Sequence, residues 1–167
     1  MNKNIDIAEL RNDLTTYGSL PLEIKWSISR GRDTYGYNIC SLYVYGQKVA
    51  TCNGGGYDMR GTVIGEFVTA LFKDELLKLS EGVDIPDGGG CLDGSQIKFR
   101  NPKYGSRWEQ NCYGLYLSNY DGNRKAEING ACGEDSVTTI LNAIGYDLHW
   151  KDSKHRTLTR LIPREEV

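Results

Sequence analysis

Leu22-Glu23-Ile24-Lys25-Trp26-Ser27-Ile28 alternates apolar and polar side chains, the period of two that gives a strand one buried face. Ahead of it, Ile7, Leu10 and Leu14 recur at helical spacing, so a short helix is expected over 5–14. A hairpin should follow, with strands over 37–45 and 48–52 and a turn through Tyr45-Gly46-Gln47-Lys48. The period then changes. Val63, Ile64, Phe67, Val68, Leu71, Phe72, Leu76 and Leu79 predict one amphipathic helix over about 61–79 with a broad apolar face. Asp58 stands where a helix cap would, and Gly61 and Gly65 trade helix propensity for close approach of a neighbour or ligand.

The segment 80–95, SEGVDIPDGGGCLDGS, is rich in glycine and acid and reads as a surface loop or lid within a single domain of 1–167. Further strands are expected at 97–99 and 113–120, with a turn at Asp121-Gly122 leading into 125–128. Val137, Ile140, Leu141 and Ile144 predict a helix over 135–143, and Gly145 suits the position just past its end. Strands at 146–150 and 157–162 complete the pattern. Hairpin-ordered strands with segregated helices predict an α+β fold, a mainly antiparallel sheet packed against two principal helices.

Composition narrows the function classes. With 25% charged and 39% hydrophobic residues in 167, the chain has the balance of a globular domain. A formal net charge of -2 lacks the basic excess of a protein that coats duplex nucleic acid. Cys40, Cys52, Cys91, Cys112 and Cys132 form no CxxC pair and accompany only two histidines, so no structural zinc or other cofactor is expected. Free thiols, no apolar signal core and no membrane-length apolar run point to the cytoplasm.

The chemistry concentrates where the second expected hairpin strand gives way to the helix. Backbone amides of Gly54, Gly55 and Gly56 at a helix entrance suit an anion, with Arg60 beside them. The run lacks the Lys-Ser/Thr ending of a phosphate loop, and Met59 occupies the last glycine position of a dinucleotide fingerprint counted from Gly54. A tight packing turn is the competing reading. Arg30 and Arg32 could clamp phosphate while Tyr35 or Tyr57 stacks on a base, although a surface Arg–Asp33 pair would look the same. The basic, aromatic run 98–108 suits single-stranded nucleic acid or a solvated loop. Cys132 before a helix and His149 after it raise thiol catalysis, without a hydrolase signature. Asp84, Asp87 and Asp93 do not have calcium-loop spacing, so an exposed acidic loop is the default.

Gly31-Arg32-Asp33-Thr34-Tyr35-Gly36-Tyr37-Asn38, then Asn53-Gly54-Gly55-Gly56-Tyr57-Asp58-Met59 with Gly61-Thr62-Val63, resemble small accessory proteins of tailed bacteriophages and prophages. Gly130-Ala131-Cys132-Gly133 and a helix ending Ala143-Ile144-Gly145 extend that resemblance. It offers no catalytic residues to carry over. It implies a cytoplasmic protein of an infected or lysogenic bacterium, of a kind that often counters host immunity. The expected function is therefore non-enzymatic sequestration of a phosphate-bearing nucleotide signal. The alternative is a protein-binding inhibitor of a bacterial immune effector such as a CRISPR nuclease complex, and a cysteine-dependent hydrolase ranks third. A homodimer would complete open strand edges or small sites.

Overall fold

Leu20, Leu22 and Ile24 are buried while Pro21 and Lys25, at alternate positions, are exposed, so the alternation in the sequence is the alternation of the strand. The computed structural model describes residues 6–27, 39–53, 59–93, 98–99, 110–111, 114–130 and 133–161. Along the chain come α1 (Ile7–Tyr17), β1 (Ser19–Ser27), β2 (Ile39–Val44), β3 (Gln47–Asn53), α2 (Met59–Leu71) and α3 (Lys73–Leu79). After them lie β4 (Gly90–Asp93), β5 (Lys98–Phe99), β6 (Gln110–Asn111), β7 (Leu115–Tyr120) and β8 (Asn123–Ile128). The last elements are α4 (Glu134–Ala143), β9 (Tyr146–Trp150) and β10 (His155–Arg160).

These form an antiparallel five-stranded sheet in the order β3-β2-β1-β10-β9, a three-stranded sheet β4-β7-β8 and the short pair β5-β6. The fold is α+β. One hydrophobic cluster draws on both larger sheets and all four helices, from Leu14 of α1 through Phe67 of α2 to Leu117 of β7 and Leu158 of β10. Burying each such side chain contributes about 1.5–3 kcal/mol. No helix among the described residues is long and apolar enough to cross a membrane.

Local chemistry sets the element ends. Asp6 caps α1 by accepting from the Ala8 amide at 2.9 Å, which shifts that helix later than the spacing alone suggests. The β2–β3 turn places both Tyr45 and Gly46 at positive φ, and the β7–β8 turn does the same with Asp121 and Gly122. Such two-residue turns match the right-handed twist of the strands they join.

The α+β expectation holds, with four helices among the described residues, because the helix expected over 61–79 is broken at Phe72. Phe72 is fully buried, packs on Tyr146 with ring centroids 4.3 Å apart, and lies under the Arg11 guanidinium. Arg11 also donates to the Leu71 carbonyl, so a long-range side chain serves a backbone acceptor at the bend.

The surface loop or lid expected over 80–95 is, in its described part, a loop to residue 89 followed by a strand from Gly90. Ser80 and Ile85 are buried, and Arg124 donates to the carbonyls of Ser80 and Val83, the latter at 3.0 Å. Gly90–Asp93 then pairs with β7 as an edge strand. A segment tied at both ends in this way is part of the scaffold.

Candidate functional site

Arg156 lies on β10 two residues before Leu158, and the period of the strand turns both toward the helices. The arginine is 1% exposed, so its charge requires a partner. Glu134, the first residue of α4, supplies it through a two-pronged pair: Nε to Oε2 at 2.7 Å and Nη2 to Oε1 at 2.8 Å. Arg156 Nη1 donates to the carbonyls of Asp152 and His155 at 2.6 and 3.0 Å, fixing the β9–β10 turn as well. Glu134 is favoured at this place because a carboxylate at a helix start also faces the positive end of the helix dipole.

Two further groups meet this pair. Trp150, the cross-strand partner of Arg156, lays its ring 3.7 Å from the guanidinium carbon, yet the residue is 58% exposed. One face of the indole is thus backed by a buried cation while much of the ring remains in solvent. Arg60, in the first turn of α2, brings Nε within 3.8 Å of Glu134 Oε1, and its guanidinium lies 5.5 Å from the Trp150 ring. The first turns of α2 and α4 are therefore joined through one carboxylate.

Beside them opens a pocket of about 330 Å³, lined by Gly133, Glu134, Asp135, Thr138, Leu148, Trp150 and Arg156. Its size lies at the lower end for small-molecule clefts. It presents an aromatic wall, two carboxylates and a hydroxyl, with the Arg60 guanidinium close by. Such a set can stack on a flat ring and accept hydrogen bonds from its edge.

A second cavity of about 530 Å³ lies between α2–α3 and β8, lined by groups including Thr69, Ala70, Lys73, Leu77, Arg124 and Ala126. It is larger, but Thr69 Oγ1 accepts from the Ile128 amide at 2.8 Å, and Arg124 is held by the Ser80 and Val83 carbonyls. Those polar groups secure the edge of β8 against the helices, and no aromatic ring lines the cavity. The Trp150 pocket has the more ligand-like chemistry.

Of the residues singled out in the sequence, Arg60 is at this pocket's margin. Arg30, Arg32, Tyr35, Gly54, Gly55, Gly56 and Tyr57 lie outside the described residues, as do Asp58 and Cys132. Of the basic run at 98–108, only the backbone of Lys98 and Phe99 is described, paired with β6. His149 pairs with Thr157 on β10, one residue out of phase with Trp150, and so faces the other side of the sheet. Asp87 accepts from the Asn119 amide group at 3.2 Å, and no cluster of three metal-ligating side chains occurs among the described residues.

Trp150, Glu134 and Arg156 were not singled out by sequence. A signal for Arg156 existed, since its spacing from Leu158 assigns both to one face. Gly61 and Gly65 prove to serve packing: a Cβ on Gly130 would fall 1.8 Å from the Gly61 carbonyl oxygen, and one on Gly65 would fall 3.1 Å from the Gly130 nitrogen. This close approach brings the strand-to-helix connection before α4 against α2. Comparison with protein-family models, curated proteins and solved structures finds no match, and the site is read from its own geometry.

Proposed function

We propose that the chain binds a nucleotide without turning it over, stacking the base on Trp150 and directing phosphate toward Arg60 at the start of α2. The observation that carries this reading is the exposed indole backed by buried Arg156 beside an open pocket. A base has a flat face for the ring, and base–aromatic stacking contributes about 1–3 kcal/mol. Arg60 supplies a cation near the pocket, and the glycines preceding α2 in sequence add amides of the kind that suit phosphate. In the setting implied by the phage resemblance, such binding would withhold a nucleotide signal from a bacterial defence response.

Titrating mononucleotides and cyclic nucleotides into the protein by calorimetry tests the proposal. Binding should weaken with added salt, and the ligand should be recovered intact after heat denaturation. Trp150→Ala should lower affinity about 5- to 150-fold, the equivalent of losing one stacking contact. No binding across the panel, or conversion of the ligand to a product, would sink the reading.

A protein-binding inhibitor of a bacterial immune effector is the second reading, favoured by the same exposed tryptophan, because such rings often anchor interfaces. It predicts a stoichiometric protein complex that Trp150→Ala disrupts, with no small molecule retained.

A further inference from the structure

Resting on the nucleotide reading, we infer that the pocket selects guanine through the Asp135 carboxylate. Asp135 is exposed in the first turn of α4 and lines the pocket with Trp150. Its neighbour Glu134 already holds Arg156 with both carboxylate oxygens. Asp135 has no partner for its carboxylate among the described residues. Thr138 gives its hydroxyl proton to the Glu134 carbonyl at 3.0 Å, so toward a ligand its oxygen can act as an acceptor. The Asp135 carboxylate and the Thr138 oxygen therefore both offer acceptors to a ligand.

The hydrogen-bonding edges of the four bases respond differently to such acceptors. Guanine presents two adjacent donors, N1–H and the N2 amino group, spaced to meet the two oxygens of one carboxylate. Adenine and cytosine place a ring-nitrogen lone pair next to their amino group, which a carboxylate repels. Uracil flanks its one N–H with two carbonyls. Only guanine can make a two-pronged, charge-assisted contact to Asp135 while its ring lies on Trp150.

Calorimetry with GMP, AMP, CMP, UMP, IMP and XMP on the full chain tests this, with Asp135→Asn alongside. GMP should bind about tenfold more tightly than AMP, CMP or UMP, as expected for hydrogen bonds to a charged group, with IMP intermediate for want of the N2 amino group. Asp135→Asn should move the preference from GMP to XMP, because a carboxamide offers one donor and one acceptor to the xanthine edge. A merely structural Asp135 would not produce that reversal. Equal affinity for the four common bases overturns guanine selection and leaves the nucleotide reading standing. Binding of none of them, nor of their cyclic counterparts, overturns both.

Discussion

Glu66 lies on the exposed side of α2, but its carboxyl is pushed above its ordinary pKa, first by partial burial and then by the charge of Glu127 on β8. The Cys52 thiol is pushed up in turn, by burial first and then by Glu66. The folded chain therefore keeps a proton on Glu66 at a pH where the unfolded chain has lost it. That contribution to stability is full at low pH and declines as pH rises from about 4.5 through the folded value. Glu66→Gln removes the penalty of ionising the group. Relative to the parent it should gain stability from pH 4 to pH 7, by a small amount because the carboxylate is largely screened by solvent. Urea melts at the two pH values measure the difference, and a constant offset would contradict it. The same substitution should speed modification of Cys52 by a thiol reagent at pH 8, since more thiolate is then present.

Between elements, one close approach is glycine on glycine, where Gly130 meets the first turn of α2 at Gly61. Two alanine substitutions separate packing from propensity. At Gly130 the new methyl group would overlap the backbone of α2, so Gly130→Ala should cost at least about 1–3 kcal/mol, the usual range for overpacking. At Gly65 the neighbours lie at 3.1–3.2 Å, a tight fit that must yield by only a few tenths of an ångström. Alanine in a helix interior offsets that strain by up to about 1 kcal/mol of propensity. Gly65→Ala should therefore sit near neutral, well above Gly130→Ala in urea midpoint; the reverse order would mean that the contact is not close. Sequence made the glycine pair in α2 legible as a point of close approach, by a neighbour or a ligand, because the missing side chains are local information. It could not name Gly130, more than sixty positions away. Strand β1 was legible for the same local reason, its burial repeating every second residue, whereas β4 falls within the expected loop. The break at Phe72 was not, because Arg11 and Tyr146, which hold that ring, come from distant parts of the chain. The candidate site was legible only at Arg60, since an arginine in a Thr-rich strand looks solvated until its in-phase neighbour Leu158 is taken into account.

Across the whole molecule, the Arg156–Glu134 pair links the five-stranded sheet to α4, the β9–β10 turn and, through Arg60, the start of α2. An exposed ion pair in such a place would contribute little, typically 0.2–1 kcal/mol. This one is different on the arginine side, whose side chain is 0% exposed, and only modestly different on the glutamate side at 16%. Removing one partner leaves the other charge poorly solvated, with a cost of about 3–5 kcal/mol for a fully buried pair and toward the lower figure here. Replacing both partners need not cost as much. Arg156→Met keeps apolar volume under Trp150, and Glu134→Gln removes the charge that would otherwise be stranded. The double variant should therefore be more stable than the sum of the single losses predicts, with a coupling of at least about 1.5 kcal/mol in a double-mutant cycle. A coupling below about 0.5 kcal/mol would assign the joint between sheet and helix to apolar packing around Ile140, Leu141 and Leu158 instead. Because Arg156 also backs the indole, its loss should reduce ligand binding together with stability. Asp135→Asn, on the exposed side of the same helix turn, should alter base preference while leaving the urea midpoint nearly unchanged.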